Sequence, residues 1–501
     1  MNIKLLRKHK FGVFVVGLEL ILSIIFVGFL SVLNIVDSSL VIMIAVCLVG
    51  LSMFLLLTQI SKKAHTLGKV MSILFSILLV MGSFYEFKAY STLGKVSAQN
   101  YQVVKMSTIA MKKNPANNVK DVVNDTFGIV GVNDRKNTDK TIDSIEKEYK
   151  VSLKTKEYAD VKTLVTGLYQ GEISVIVFNE ANRGMIIESF KDFNNATKVL
   201  GRVEAKSELE NTKAASDVTK EPFSVYLSGI DTNGKVSETS RSDVNIMATV
   251  NSKTKEILLI STPRDYYVPL PNSNGVRDKL THTGIYGVDC SIGTLEKLYD
   301  VDINYYLRVN FTGFKKIVDS LGGVTVHSDY TFKADWGPSF VKGDNKVNGK
   351  QALAFARQRH DYFRGRKTGL EGGDNQRGRN QQYLIKAIVN KATSPSILKN
   401  FSGLMDSIAE SIETNMKTSE ITDLVKMQLS DMSAWNITMI NATGTGEKAT
   451  TFSMPSTRLY VMVPDESTVK AAKKMVDKVE AGEHITEEEF KKLAAQNKTN
   501  N

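Results

Sequence analysis

The chain has 501 residues and a formal net charge of +11, too long for one ordinary domain and basic enough to suit phosphate, anionic lipid or nucleic acid without choosing among them. Its two cysteines, Cys47 and Cys290, build no disulfide framework, and its six histidines lack metal-ligand spacing, which argues against a zinc site.

Residues 1–90 read as a cytoplasmic tail and three transmembrane helices. Phe11–Leu33 and Leu40–Ile60 are apolar runs long enough to cross roughly 30 Å of hydrocarbon. Val70–Tyr85 reaches that length by extending to Tyr90, which takes in Glu86 and Lys88 near one interface. Further spans follow the first and no small-residue cleavage pattern precedes them, so a cleavable signal peptide is not expected. Lys4, Arg7, Lys8 and Lys10 precede the first span, and Lys62, Lys63 and Lys69 lie between the second and third. The connector Asn34–Ser39 has no basic residue. The positive-inside rule then makes the N-terminus cytoplasmic and everything after about residue 90 extracellular. Outside a cell, chromosomal DNA drops out as a ligand. The phosphates found there belong to lipid headgroups, lipid-linked precursors and wall polymers.

Residues 100–205 alternate helix-like stretches (Thr141–Tyr149, Tyr158–Tyr169) with strand-like ones (Phe127–Val132, Ile173–Phe178, Met185–Ile187), the pattern of a small α/β accessory domain. They hold no nucleophile elbow, glycine-rich phosphate loop or ligand cluster, and read as a binding or spacer module. Residues 206–221 are polar and poor in apolar side chains, the composition of a linker.

Residues 222–480 begin with strands that carry charge at their ends. Phe223–Ile230 is followed by Asp231, Asp243–Asn251 is preceded by Arg241, and Glu256–Ser261 leads into Arg264 and Asp265. Sites in open α/β sheets gather at such ends. Helix Val288–Tyr299, strand Ile303–Val309, helix Phe311–Leu321 and strand Gly323–His327 continue an alternation that predicts a sheet layered with helices. The stretch 352–382 then places six arginines between Arg357 and Arg379, broken by Asp361, Glu371, Asp374 and a glycine-rich run. Its flanks have helical spacing. Planar, fork-shaped guanidinium groups suit phosphate oxygens, although such a run taken alone reads equally well as a solvated basic surface. Arg357 and Arg359 lie two apart, so both face one ligand only if the helix from Val347 stops close to Arg359. Two or three helices follow, then strands Asn436–Asn441 and Arg458–Val463, and residues 481–501 read as a mobile tail.

The charges form a constellation. Asp231 and Asp243 flank a polar loop that can fold them together, and paired carboxylates are unfavourable unless they share a proton or a cation. Beside a pyrophosphate that cation is Mg²⁺, which takes a few carboxylates plus phosphate oxygens. Arg241, Arg264, Lys279, Arg357, Arg359 and Arg377 would neutralise the remaining phosphate charge. Any single Arg–Asp pair is ordinarily a surface salt bridge. Two such triplets at strand ends, with an arginine hairpin, are harder to read that way.

GIDTNG, SRSDVNIMATVN, STPRDYYV, DKLTHTGIYG, FARQRH and DNQRGRNQQ, in this order, resemble the successive motifs of the LytR–CpsA–Psr family. The resemblance is densest from Pro222 to about Ala392. It implies a membrane-anchored protein with an α-β-α layered catalytic domain and an accessory domain similar to a DNA-polymerase processivity factor. It also implies Mg²⁺-dependent phosphotransfer of a glycopolymer, here capsular polysaccharide, from undecaprenyl pyrophosphate to peptidoglycan, with other capsule-assembly proteins as further partners. Carried over by motif, Asp231 and Asp243 bind the metal. Arg241, Arg264, Lys279, Arg357, Arg359, Arg377 and Gln381 hold the pyrophosphate, and Asp374 orients the arginines. Arg241, Arg264 and Asp265 are the catalytic candidates, with Asp265 a possible proton acceptor but a weak one when coupled to arginine. The chain departs from the family pattern at Asn380, where an arginine is more usual, and in a longer loop from Asp361 to Gly373. Which of Arg364, Arg366 and Arg379 reach the ligand is therefore open. The rival readings are a lipid-pyrophosphate hydrolase using the same site, and a membrane regulator of capsule synthesis or expression that binds a partner or DNA through the basic N-terminal tail and the connector Ser61–Lys69.

Overall fold

The computed structural model describes residues 9–61, 63–96, 101–131, 134–209, 214–230, 236–335, 337–363, 366–370, 372–394 and 401–499. Three helices lead, α1 (Lys10–Leu33), α2 (Ser38–Thr58) and α3 (His65–Val96), each long and apolar enough to cross a membrane. Polar groups on them turn inward, as a hydrocarbon surround demands. Buried Glu19 on α1 accepts hydrogen bonds from Ser23 Oγ at 3.1 Å and, across to α2, from Ser52 Oγ at 2.6 Å. The 32 residues of α3 extend about 48 Å at ~1.5 Å per residue, well past the roughly 30 Å of a hydrocarbon layer. Its last turns run beyond the expected end at Tyr90 and meet the rest of the protein. There Lys88 Nζ lies 2.6 Å from an Asp406 carboxylate oxygen, and the Thr92 hydroxyl donates to the Met405 carbonyl at 3.3 Å.

A first sheet follows, of strands β1 (Tyr101–Met111), β2 (Thr126–Val130), β3 (Lys154–Tyr158), β4 (Val175–Asn179) and β5 (Thr197–Glu208), in the order β3-β2-β4-β1-β5. Helix α4 (Arg135–Tyr149) packs Ile145 against Phe127, Ile129 and Val175. Helix α5 (Val161–Gln170) packs Leu164, Val165 and Leu168 against Ile176 and Phe178 in a separate core. The Asp160 carboxylate caps α5 by accepting the Thr163 N–H at 2.8 Å, and Gly171, at φ 77°, ends it. Met185–Ile187, expected as a strand, belongs to helix α6 (Arg183–Ser189). Three apolar residues in a row are too few to separate the two periodicities, and the Asn179 side chain starts the helical turn by accepting the Ala181 N–H. β5 continues two residues past 206, where a linker was expected to begin.

The second sheet contains β6 (Phe223–Ile230), β7 (Ser242–Asn251), β8 (Glu256–Ser261), β9 (Tyr305–Asn310), β10 (Ile412–Thr414) and β11 (Asn436–Asn441), in the order β10-β9-β6-β7-β8-β11. β9 runs parallel to β6 and β11 parallel to β8, and the other pairs are antiparallel. Helices connect and cover it: α7 (Val288–Tyr299), α8 (Phe311–Ser320), α9 (Gly349–Arg357), α10 (Gly373–Ala392), α11 (Phe401–Ser411), α12 (Thr418–Asp431), α13 (Glu466–Glu480) and α14 (Glu487–Thr499). Successive strand side chains point to opposite faces. Tyr226, Met247, Leu258 and Ile260 pack on one face with residues of α7 and α13. Val225, Ala248 and Leu259 face the other way, towards Ile385 and Val389 of α10 and Leu424 of α12. A sheet covered on both faces is apolar on both, so its strands read as nearly unbroken apolar runs. Glu487–Thr499, expected within a mobile tail, is helical: Phe490 is buried and Glu487 lies 2.7 Å from Arg379.

Candidate active site

Register assembles the charged end of the sheet. β7 and β8 are antiparallel, with Ile246 opposite Ser261, so the start of β7 lies beside the end of β8. Asp243 near the first and Arg264 just beyond the second therefore meet, with Arg264 Nη1 2.7 Å from Asp243 Oδ1. The Thr281 hydroxyl donates to the same oxygen at 3.2 Å. Arg264 Nε approaches Asp265 Oδ2 at 3.8 Å, and Lys279 Nζ lies 2.8 Å from Asp265 Oδ1.

The arginine hairpin folds over this end. Helix α9 stops at Arg357, as the two-residue arginine spacing required, and Gln358 is extended at φ −66°, ψ 125°. The Gln358 amide locks the exit, accepting the Asp335 N–H and donating to Asp335 Oδ1, both at 2.8 Å. The Arg357 guanidinium sits over the Phe311 ring, 4.5 Å from its centroid. Helix α10 starts after Gly372, whose φ of 86° suits glycine. Asp374 in its first turn is favourable at a helix N-terminus and lies 2.9 Å from Arg377 one turn on. Another turn along, Gln381 Nε2 donates to the Ala356 carbonyl at 3.2 Å and ties α10 to the end of α9.

One cavity of 1610 Å³ joins these groups. Arg241, Asp243, Arg264, Arg357, Arg359, Arg377 and Gln381 all line its polar end. Asp265, Lys279 and Asp374 are not in the lining and bear on it through the arginines they hold or adjoin. Beyond the charges the walls are apolar. Val225 and Leu227 on β6, Ala248 and Val250 on β7, and Ile257 and Leu259 on β8 supply the sheet side.

Electrostatics keep Asp243 and Asp265 ionised. Burial pushes the Asp243 carboxyl up, but Arg264, Arg241 and Arg377 outweigh it and hold it below the ordinary carboxylate range. Burial likewise opposes, and Lys279 and Arg264 override, in lowering Asp265. Burial and the neighbouring Arg264 and Arg359 lower the Arg377 guanidinium, against Asp374 and Asp243, and an arginine stays charged regardless.

Asp231 and Arg364 lie outside the described residues. Arg379 turns away from the cavity, since two residues along a helix is about 200° around it. It donates to the Met439 carbonyl at 3.0 Å and to Glu487 at 2.7 Å. Among the described residues no group of three His, Cys, Asp or Glu side chains could hold a metal. Asp243 offers one hard oxygen: Oδ1 is taken by Arg264 and Thr281, while Oδ2 accepts no hydrogen bond among those residues. That fits Mg²⁺, which binds through one or two carboxylates and completes its shell with phosphate and water. Sequence reasoning missed Glu188 of α6, whose Oε1 lies 2.9 Å from Arg241 Nη1 and which lines the cavity. It follows directly on Met185–Ile187, read as a strand of the accessory domain, and no motif pointed to it.

A teichoic acid transferase, TagU of Bacillus cereus, named polyisoprenyl-teichoic acid–peptidoglycan teichoic acid transferase, is 32% identical over 243 residues, 48% of this chain and 76% of that protein. The crystal structure of Bacillus subtilis TagV aligns with a TM-score of 0.42 at 25% identity, covering 53% of this chain and 99% of that one. A structure of YwtF (TagT) with bound octaprenyl pyrophosphate lipid aligns with a TM-score of 0.39 at 26% identity, covering 54% and 93%. The sequence model of the LytR_cpsA_psr family matches residues 186–478, from α6 with its Glu188 through the charged strand ends to α13, and the chain belongs to that family.

Proposed function

We propose that this chain transfers a glycopolymer from a polyprenyl pyrophosphate carrier to peptidoglycan, by Mg²⁺-dependent phosphotransfer at the outer face of the membrane. The observation that carries this reading is the single cavity with five guanidinium groups at one end and apolar walls along the rest. An amphiphile with a multiply charged anionic head and a long hydrocarbon tail matches both ends. At 1610 Å³ the cavity exceeds the roughly 300–1,000 Å³ of a compact small-molecule site. The names of the relatives support a glycopolymer-to-peptidoglycan transfer. The sequence resemblance supports capsular polysaccharide on undecaprenyl pyrophosphate as the substrate.

A peptidoglycan sugar hydroxyl attacks the sugar-proximal phosphorus. A P–O bond forms there as the bridging P–O bond breaks, prenyl phosphate leaves, and the hydroxyl proton passes to solvent. Negative charge grows on the phosphoryl oxygens and on the leaving phosphate. Arg264 is already fixed by Asp243, and Arg377 by Asp374, so they stabilise that charge with little reorganisation, the main service a protein gives phosphoryl transfer. Asp265, held ionised by Lys279 and Arg264, is a poor base and works by positioning those cations. Mg²⁺, held by Asp243 and Asp231 with phosphate oxygens, would neutralise further pyrophosphate charge.

Orientation follows from the same reading. Lys426 Nζ lies 3.2 Å from Asp37 in the first connector, so that connector and the catalytic region share one end of the helix bundle. The basic connector near Lys63 is at the other, which supports an outward-facing catalytic region and a cytoplasmic N-terminus. The test incubates the full chain in nanodiscs with labelled lipid-linked glycan, Mg²⁺ and peptidoglycan. Label is expected in peptidoglycan. Release of the same label as free glycan phosphate, whether or not peptidoglycan is present, would instead make the protein a hydrolase.

A further inference from the structure

The cavity does not end inside the catalytic region. Its lining continues to Leu33 and Ile35 at the end of α1 and to Tyr85, Glu86 and Ala89 on α3. The α3 residues Glu86, Ala89, Thr92 and Val96 are all buried and fall three, three and four apart, a single helical stripe. That stripe is fastened through Thr92 to Met405 and flanked by the Lys88–Asp406 ion pair. Tyr85 and Tyr90 are exposed on the same turns, the amphipathic rings that favour headgroup depth.

A second, independent feature marks the same place. Opposite the α3 stripe, Val425 and Leu429 of α12 and Met432 just after it also line the cavity, yet remain exposed at 40%, 52% and 46%. Spaced four and three apart, they form an apolar strip left exposed among the described residues. A third feature is Glu86, buried in this wall with both carboxylate oxygens lacking a hydrogen-bond partner among the described residues. An ionisable side chain on a membrane helix, buried and unpaired, usually marks a pathway.

We propose that the slot opens sideways into the outer leaflet between α3 and α12, and that the membrane helix forms one wall of this portal, past which the substrate's prenyl chain threads from the bilayer. This rests on the proposed lipid-pyrophosphate reading. It makes α3 part of the substrate site rather than a tether: Ala89 sets the bore, and Glu86 is the polar mark at the rim. The prenyl chain is the fitting occupant because one cavity, lined mostly by apolar side chains, includes both this opening and the arginines that take the charged head.

The experiment uses the full chain in nanodiscs and undecaprenyl pyrophosphate carrying a diazirine at its ω end. After irradiation, peptide mapping should place the label on the α3 turn 85–89 or on the α12 strip. Excess unlabelled undecaprenyl pyrophosphate should remove it, and Ala89→Trp should lower it about tenfold or more. A geranyl pyrophosphate probe, too short to reach the portal, should label the cavity near the arginines equally in wild type and Ala89→Trp, which also shows that the variant is folded. Competable label only on the β6–β8 wall or on α10, or α3 label that competitor does not remove, would overturn the portal. Arg377→Ala separates the two ideas. If it abolishes competable labelling by both probes, the pyrophosphate reading stands whatever the portal result. If it leaves competable α3 labelling intact, the portal stands and the arginine assignment falls.

Discussion

Glu188 Oε1 on α6 lies 2.9 Å from Arg241 Nη1 at the head of β7, so a carboxylate from a helix between β4 and β5 already holds one of the guanidinium groups that the polar end of the cavity offers. The two ends of this pair differ. The Glu188 side chain is 65% exposed and that of Arg241 only 10%. A pair with one partner in water is worth about 0–1 kcal/mol, weak enough for a pyrophosphate to displace. Glu188→Gln should therefore tighten binding of prenyl pyrophosphate by up to about fivefold and leave the thermal midpoint nearly unchanged. Isothermal titration of both proteins checks this. Weaker binding in the variant would mean that Glu188 orients Arg241 for the ligand rather than competing with it.

Asp243 gives a sharper expectation. Asp243→Asn keeps the shape but removes the charge that anchors Arg264 and the oxygen open to a metal. Transfer should fall about 100-fold or more, the scale of losing one preorganised electrostatic group. The Mg²⁺ concentration dependence should flatten, and circular dichroism should be unchanged. Wild-type turnover at limiting Mg²⁺ would remove Asp243 from the site.

Acid behaviour follows from the lowered carboxyls. Asp243 and Asp265 have folded values below those of the unfolded chain. Their contribution to stability is therefore fully present above about pH 4, the unfolded carboxylate value, and is lost as pH falls through the lower folded values. Asp265→Asn should lower the melting temperature at pH 7 and reduce its fall between about pH 4 and pH 2. Because Asp265 is already ionised at pH 5, kcat/KM should show no acidic limb that Asp265→Asn removes. A limb near neutrality that vanished in the variant would restore Asp265 as a base.

Arg379 and Cys290 test the surroundings. Arg379→Ala breaks the tie to Glu487 and the Met439 carbonyl and should lower the melting temperature by a few degrees while leaving transfer within about twofold. Burial, chiefly, with Asp278 nearby, pushes the Cys290 thiol up to about 12. An impermeant maleimide should then label it only after unfolding, because the thiolate is the reactive form. In intact cells, a cysteine introduced at Lys63 should stay protected. Its labelling from outside would reverse the proposed orientation.

The charged parts of the site were legible because they sit where strands end. Arg241, Asp243 and Arg264 each terminate an apolar run, and antiparallel register alone brings the last two together. The halt of α9 at Arg357 was legible too, because two arginines two residues apart can share a ligand only past a helix end. The slot was not. Val225, Ala248 and Ile257 face it while Tyr226, Met247 and Leu258 face a filled core, and a period-two pattern that is apolar on both faces cannot say which face is left open. Glu188 and the continuation of the lining onto Ala89 were hidden for another reason: both depend on how distant segments dock. The helix Glu487–Thr499 reads as a charged tail until Arg379 supplies a partner for its first turn.

The most direct measurement follows glycan transfer by Arg359→Lys and Arg359→Ala across a salt series. Arg359 lines the cavity beside Arg377 and Arg264, where a guanidinium can grip pyrophosphate through two parallel hydrogen bonds that an ammonium cannot form. Lysine keeps the charge and loses the fork, so Arg359→Lys should be crippled nearly as badly as Arg359→Ala, at low and high salt alike. A fully active Arg359→Lys, with wild type and variant weakening together as salt rises, would leave the arginines as a basic patch and contradict the pyrophosphate clamp.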